Sequence, residues 1–184
     1  MKLVDYIINA LLAFISVFTK VPAPLPVEQP QPSMPKSTET PRDRLIKAAR
    51  AALGKDMTPG DAVPDEVACV AQLVAIVPDE FGLDKKLTYT PALYEALKRN
   101  KRFKGSLDMK AGSIVVYPTT GTNTGHALIC LEDDDGNITG HNTLASNNSF
   151  GSAKGLFTLN YNRKSARAYF IGKKGLKGYI FEPI

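Results

Sequence analysis

An α+β domain is what this sequence predicts, and three observations predict it. Residues from about 42 to 100 carry apolar side chains at helical spacing. Residues from about 105 onward carry short β-branched and aromatic runs separated by turns. Prolines and glycines stand where helices should start and stop. In "RDRLIKAARAALG" (42–54), Leu45, Ile46, Ala49, Ala52 and Leu53 share one helical face and Gly54 ends the run. The second helix spans about Pro64 to Val77, with Pro64 near its first position, Asp65 and Glu66 in its first turn, and Pro78 as its stop. The third begins at "TPALYEALKR", where Thr90 reads as the N-cap and Pro91 as the first helical residue. Strands are expected at "SIVVY" (113–117), at "HALICLE" (126–132), after the "DDDGN" turn, at "RAYFI" (167–171) and at "GYIFEP" (178–183). Helices first and strands afterwards describe helices packed on an antiparallel sheet, over residues 42–184.

Two segments precede that domain. In "MKLVDYIINALLAFISVFTK" (1–20) no charge interrupts Tyr6 to Thr19. Fourteen helical residues reach about 21 Å, less than the ~30 Å hydrocarbon core of a bilayer. The segment therefore suits a signal-peptide core, a membrane anchor through residues 3–19, or an interfacial helix. An uncleaved anchor is preferred, because "KVPAP" puts proline where cleavage would fall. Residues 21–41 hold seven of the thirteen prolines. Fixed φ at that density favours an extended, semi-stiff spacer. Anchor, spacer and domain together describe a tethered module, exported or held at an inner membrane, and a monomer. The net charge of +5 and pI near 9.1 favour an anionic partner. Five basic residues in "KRNKRFK" (98–104) and six among residues 160–184 extend that character. No zinc-finger, RNP or phosphate-loop pattern points to a specific nucleic-acid site. "LEDDDGN" (131–137) lacks the twelve-residue loop ending in Glu that calcium needs, and reads as a hairpin turn.

The chemistry centres on Cys69, about one turn into the second helix. Backbone N–H groups and the helix dipole stabilise a thiolate there, while Asp65 and Glu66 oppose it. His126 follows the polar loop "PTTGTNTG" and opens a strand, a position suited to facing a cleft. An imidazole within hydrogen-bond reach can take the thiol proton, and a third polar group must then orient the ring. Asn142 and Asn147 in "ITGHNTLASNNS" are the candidates for that third group, with His141 behind them.

The ordered set of a helix cysteine, "AGSIVVYPT", "GHALIC" and an Asn-bearing strand resembles the papain-like peptidoglycan hydrolases of the CHAP and NlpC type. "GSIVVY" stands at the family's Gly-Asp-hydrophobic strand, with Ser113 in place of the usual Asp. "SNNSFGSAKGLFTLNY" and "GYIFEP" resemble small phage-encoded members. The resemblance covers residues 42–184 and implies a papain-like fold and a cell-wall amide hydrolase acting on peptidoglycan without cofactor or metal. By it Cys69 is the nucleophile and His126 the base. Matching the tail makes Asn147 the orienting residue, and counting along the hairpin makes it Asn142 instead.

Other readings of the same residues remain. A Cys69–Cys130 disulfide suits an exported domain. Cys130 shares strand parity with His126 and Leu128, which makes it an inward core residue. A zinc site is disfavoured, because residues four apart on a strand lie roughly 13 Å apart. A non-catalytic wall-binding or tail-associated module, and a cysteine peptidase acting on proteins, are the functional alternatives.

Overall fold

The computed structural model describes residues 39–57, 65–137, 140–148 and 155–184. All belong to one compact unit, Thr38–Ile184. The apolar segment at 1–20 and the proline-rich spacer up to residue 38 lie outside the described residues. Among the described residues no helix is long and apolar enough to cross a membrane.

Three helices come first, as the apolar spacing requires. Helix α1 (Pro41–Ala52) starts at a capping box. The Thr40 hydroxyl accepts from Asp43 N at 3.2 Å, and Thr40 N donates to the Asp43 carboxylate at 3.1 Å. Its buried stripe is Leu45, Ala49 and Ala52, so Ile46 and Leu53 sit at the margin. Helix α2 (Asp65–Ile76) is followed by a single 3₁₀ turn, Asp79–Phe81. Lys85 Nζ donates to Val74 O at 2.7 Å and also to Val77 O, placing a cation on the carbonyls that end α2. Helix α3 spans Thr90–Arg99, and its N-cap is Tyr89, with no side-chain hydrogen bond at the cap. Thr90, expected to cap it, is instead wholly buried and faces the loop before His126.

Six strands form one antiparallel sheet: β1 (Phe103–Ser106), β2 (Ile114–Tyr117), β3 (His126–Cys130), β4 (Leu144–Asn147), β5 (Phe157–Tyr161) and β6 (Tyr179–Pro183). Their spatial order is β1-β6-β2-β3-β4-β5. The last strand thus enters between the first and second, pairing Phe181 with Gly105 on one side and Ile114 on the other. Strands β1 and β5 were not expected from the sequence. "FKGS" reads as part of a basic run, whereas "FTLNY" does alternate apolar and polar residues and carries a strand signal.

"RAYFI", expected as a strand, is helical. Asn162 caps a short helix α4 (Arg163–Ala166): its side chain accepts from Ser165 N at 2.9 Å, and Ser165 Oγ returns a bond to the Asn162 backbone. The helix continues as a π-helix over Arg167–Lys173. Its wide turn is seen where Lys174 N donates to Tyr169 O, five residues back, at 3.1 Å. A continuous apolar run of four, Ala168 to Ile171, cannot distinguish strand from helix by periodicity, and the cap decides the outcome.

Every residue of β2, β3 and β4 is buried. The reason is that both faces of the sheet are covered. One face carries Ile114, Val116, Ala127, Ile129 and Ala145, packed against α1, α2 and α3 through Leu45, Cys69, Leu73, Leu93 and Leu97. The other carries Val115, Tyr117, Leu128, Cys130 and Leu144, packed against Ala166, Phe170 and Leu176.

The β2–β3 turn is pinned by a small polar cluster. Thr119 N donates to Thr90 Oγ1 at 3.0 Å, and Gly125 N donates to Thr119 Oγ1 at 2.8 Å. A Cβ on Gly125 would collide with Tyr117 O, Thr119 N and Thr90 Oγ1. The glycine before His126 is therefore required by close packing. Gly125→Ala is expected to destabilise the fold by more than about 2 kcal/mol, since backbone atoms cannot give way cheaply. Thr90→Val should cost about 1 kcal/mol or more by removing an acceptor from the part-buried Thr119 N–H. Urea denaturation of the two variants beside wild type measures both.

Candidate active site

Helix α2 lies across β3 and β4, the strands that His126 opens and Asn147 closes. Cys69 is 1% exposed and belongs to the apolar cluster on the helix face. Neither Cys69 nor Cys130 is in a disulfide. Cys130 belongs to the other face, where its thiol donates to Glu132 O at 2.8 Å. Burial pushes that thiol up to about 12, and the nearby carboxylates of Asp134, Asp133 and Glu132 add to the effect. It is an inert core thiol.

His126 is 7% exposed, and strand parity sorts it with Leu128 and Cys130. Its ring stacks on Phe170 at 5.1 Å between centroids and meets Tyr161 edge-on at 6.2 Å. The imidazole therefore occupies the face opposite the one that α2 and Cys69 cover. Its Nε2 is hydrogen-bonded to Ser146 Oγ at 2.9 Å. Ser146 in turn accepts from Asn160 Nδ2 at 3.0 Å, so Asn160, Ser146 and His126 form a chain from β5 through β4 to β3. Burial, with a contribution from the Lys174 charge, holds the imidazole down at about 3, so it is neutral at physiological pH.

Asn147 points to the helix face, because it alternates with Ser146 along β4. It is 3% exposed, and its Oδ1 is buried without a hydrogen-bond partner. The structure thus places Asn147 on the same side of the sheet as Cys69, and His126 across the sheet from both. Asn142 lies beyond the Leu144–Cys130 pair, at the far end of β3 from His126. Six residues separate it from the level of His126, roughly 20 Å along the strand. Its Nδ2 donates to Leu159 O at 3.1 Å. His141, also at that end, bonds Glu132 at 3.1 Å on the surface.

Ser146 and Asn160 were missed from the sequence. The signal that could have found Ser146 is parity: a strand partner that faces His126 must share its alternation. Reading that parity needs the β3–β4 register, Ile129 opposite Ala145, which the chain pattern alone does not supply.

The acid sensitivity of the fold should report on His126. The unfolded imidazole titrates near 6.5. The folded value is lower, so below pH 6.5 the unfolded state binds one proton more and stability falls as the pH drops towards 3. From pH 7 to pH 5 this single group is expected to remove about 2 kcal/mol, and His126→Gln should abolish that part of the loss. Urea denaturation of both proteins at the two pH values provides the comparison.

No family model matches the chain, and no curated protein matches it. Among solved structures, Ly7917 is similar at 19% sequence identity and a TM-score of 0.47. The alignment covers 78% of this chain and 63% of Ly7917, so the chain spans less than two thirds of that protein's length. A likeness of that size carries no assignment of function.

Proposed function

We propose that this chain is a cysteine-dependent peptidoglycan hydrolase that cleaves an amide bond, in a stem peptide or between muramic acid and alanine, during phage-induced lysis. The observation that supports the reading is the coincidence of order and packing. Cys69, "GSIVVY", "GHALIC" and "SNNS" follow one another as in the CHAP and NlpC hydrolases. The helix that holds Cys69 packs across the two strands that carry His126 and Asn147. The apolar residues 1–20 would bring the domain to the inner membrane, and the spacer would let it reach the wall.

In this mechanism His126 takes the Cys69 thiol proton, the thiolate attacks the amide carbonyl, the imidazolium returns that proton to the leaving amine as the C–N bond breaks, and water hydrolyses the thioester. The step requires the His126 ring to turn from its Ser146 and Phe170 contacts to the helix face. His126 is the first residue of β3 and its pair with Tyr117 ends the ladder. Reversing that one residue leaves the pairs from Ala127 onward in place. Asn147, whose Oδ1 lacks a partner on that face, would then accept from the imidazole.

The neutral, stacked imidazole on the opposite face favours a second reading: a non-catalytic wall-binding module in which Cys69 is structural. Purified sacculi distinguish the two. Wild type is expected to release soluble fragments, with Cys69→Ala and His126→Ala each reduced about 10³-fold or more. Fragment masses name the bond. If wild type and Cys69→Ala are equally inert and both sediment with sacculi, the hydrolase reading fails and the binding module replaces it.

A further inference from the structure

A cavity of about 840 Å³ opens beside the β1 edge of the sheet, walled by β1, β6, β2, the α4–π segment and the last turns of α3 through Tyr94, Leu97 and Lys98. Neither Cys69 nor His126 lines it. Its size suits a small ligand. Its charged side chains are Lys98, Arg163 and Arg167, with no Asp or Glu among the lining residues. Arg163 and Arg167 stand four apart on one helical segment, which puts both guanidinium groups on the same face. Arg163 is held in place by Asp134 O and Leu107 O, each accepting at 3.3 Å. These carbonyls fix the fork, and the Asp135 carboxylate lies near enough to feel its charge. Arg167 has no carboxylate partner among the described residues.

Tyr117 supplies the independent sign of a ligand. It is 1% exposed and stacks on Phe170 at 4.6 Å, yet it lines the cavity. Among the described residues no hydrogen bond holds its hydroxyl. Unlike Gln72 Oε1, Ser113 Oγ and Asn147 Oδ1, the Tyr117 oxygen is not sealed from solvent, so it opens into the cavity. Burial pushes Tyr117 up to about 12, with Arg167 and Arg163 close enough to oppose that rise, so at neutral pH its O–H is a donor. Gly178 makes room for the ring: a Cβ there would stand 2.7 Å from Tyr117 Cε1. The remaining walls are apolar, including Phe103, Val115 and Ile180. Gly105 and Ser106 also contribute, and they belong to β1, an edge strand with unpaired backbone groups on its outer side.

We infer that this cavity binds the free C-terminal carboxylate of a short apolar peptide, with Arg167 and the Tyr117 hydroxyl on the carboxylate and the peptide chain lying along the β1 edge. Two donors of this kind match a carboxylate, the apolar walls match its side chains, and an open strand edge matches an extended backbone. The inference stands on the cavity and is independent of hydrolysis at Cys69.

The test is a titration of the ¹⁵N-labelled full chain, followed by backbone and arginine Nε resonances. The probes are acetyl-Ala-Leu-Ala as the free acid, the same peptide as its C-terminal amide, decanoate, and inorganic phosphate. The acid is expected to shift Gly105, Gly178 and Arg167 Nε saturably, with the amide at least about tenfold weaker. Arg167→Gln should weaken the acid about tenfold and Tyr117→Phe about fivefold, with unchanged spectral dispersion showing that both variants fold. Equal binding of acid and amide, shifts elsewhere, or no saturable shift overturns the inference. Saturation by phosphate or decanoate but not by the peptide overturns it in favour of an oxyanion or an acyl chain.

Discussion

Because helices cover one face of the sheet and the α4–π segment covers the other, no residue of β2, β3 or β4 has solvent as an option. Each side chain must join one buried layer or the other, and alternation along the strand makes the choice. Polar residues inside those strands are bound by the same rule. Ser146 and His126 share a layer and satisfy each other, whereas Asn147, one position on, enters the opposite layer with an acceptor left over. The turn cluster of Thr90, Thr119 and Gly125 fixes where β3 begins.

Much of this was legible in the sequence. The helices followed from apolar spacing and from proline and glycine punctuation, and the interior strands from their β-branched runs. Cys130 was legible as an inward residue because parity with His126 and Leu128 is a local property. What was not legible was non-local. The place of β6 between β1 and β2, the pairing of β5 with β4, and the coverage of the second face all depend on contacts between distant segments. "RAYFI" misled because its four apolar residues fit a strand as well as a helix, and the deciding side chain, Asn162, lies five residues upstream of its first residue. Thr90 misled for a related reason: its hydroxyl was claimed by a backbone N–H 29 residues away.

The same reasoning applies to the candidate site. Local chemistry could nominate Cys69, His126 and Asn147, since a thiol, an imidazole and an amide in that order suit acyl transfer. It could not say which layer each would occupy, because that depends on the β3–β4 register. The structure sorts them two and one, with the thiol and the amide beneath the helices and the imidazole against Phe170. A chain of Asn160, Ser146 and His126, absent from any reading of spacing, is the better-formed polar network.

The position of β6 also bears on when the protein can fold. A ribosome makes β6 after every other described strand, yet β6 holds β1 to β2 and carries Glu182, whose carboxylate accepts from Ser106 Oγ at 2.6 Å. Until Tyr179–Pro183 emerge, β1 has no neighbour in the sheet and β2 has an open edge. The cavity that β6 helps to wall does not exist at that stage. Completion of this sheet therefore waits for β6, and a nascent chain that lacks it cannot close the fold.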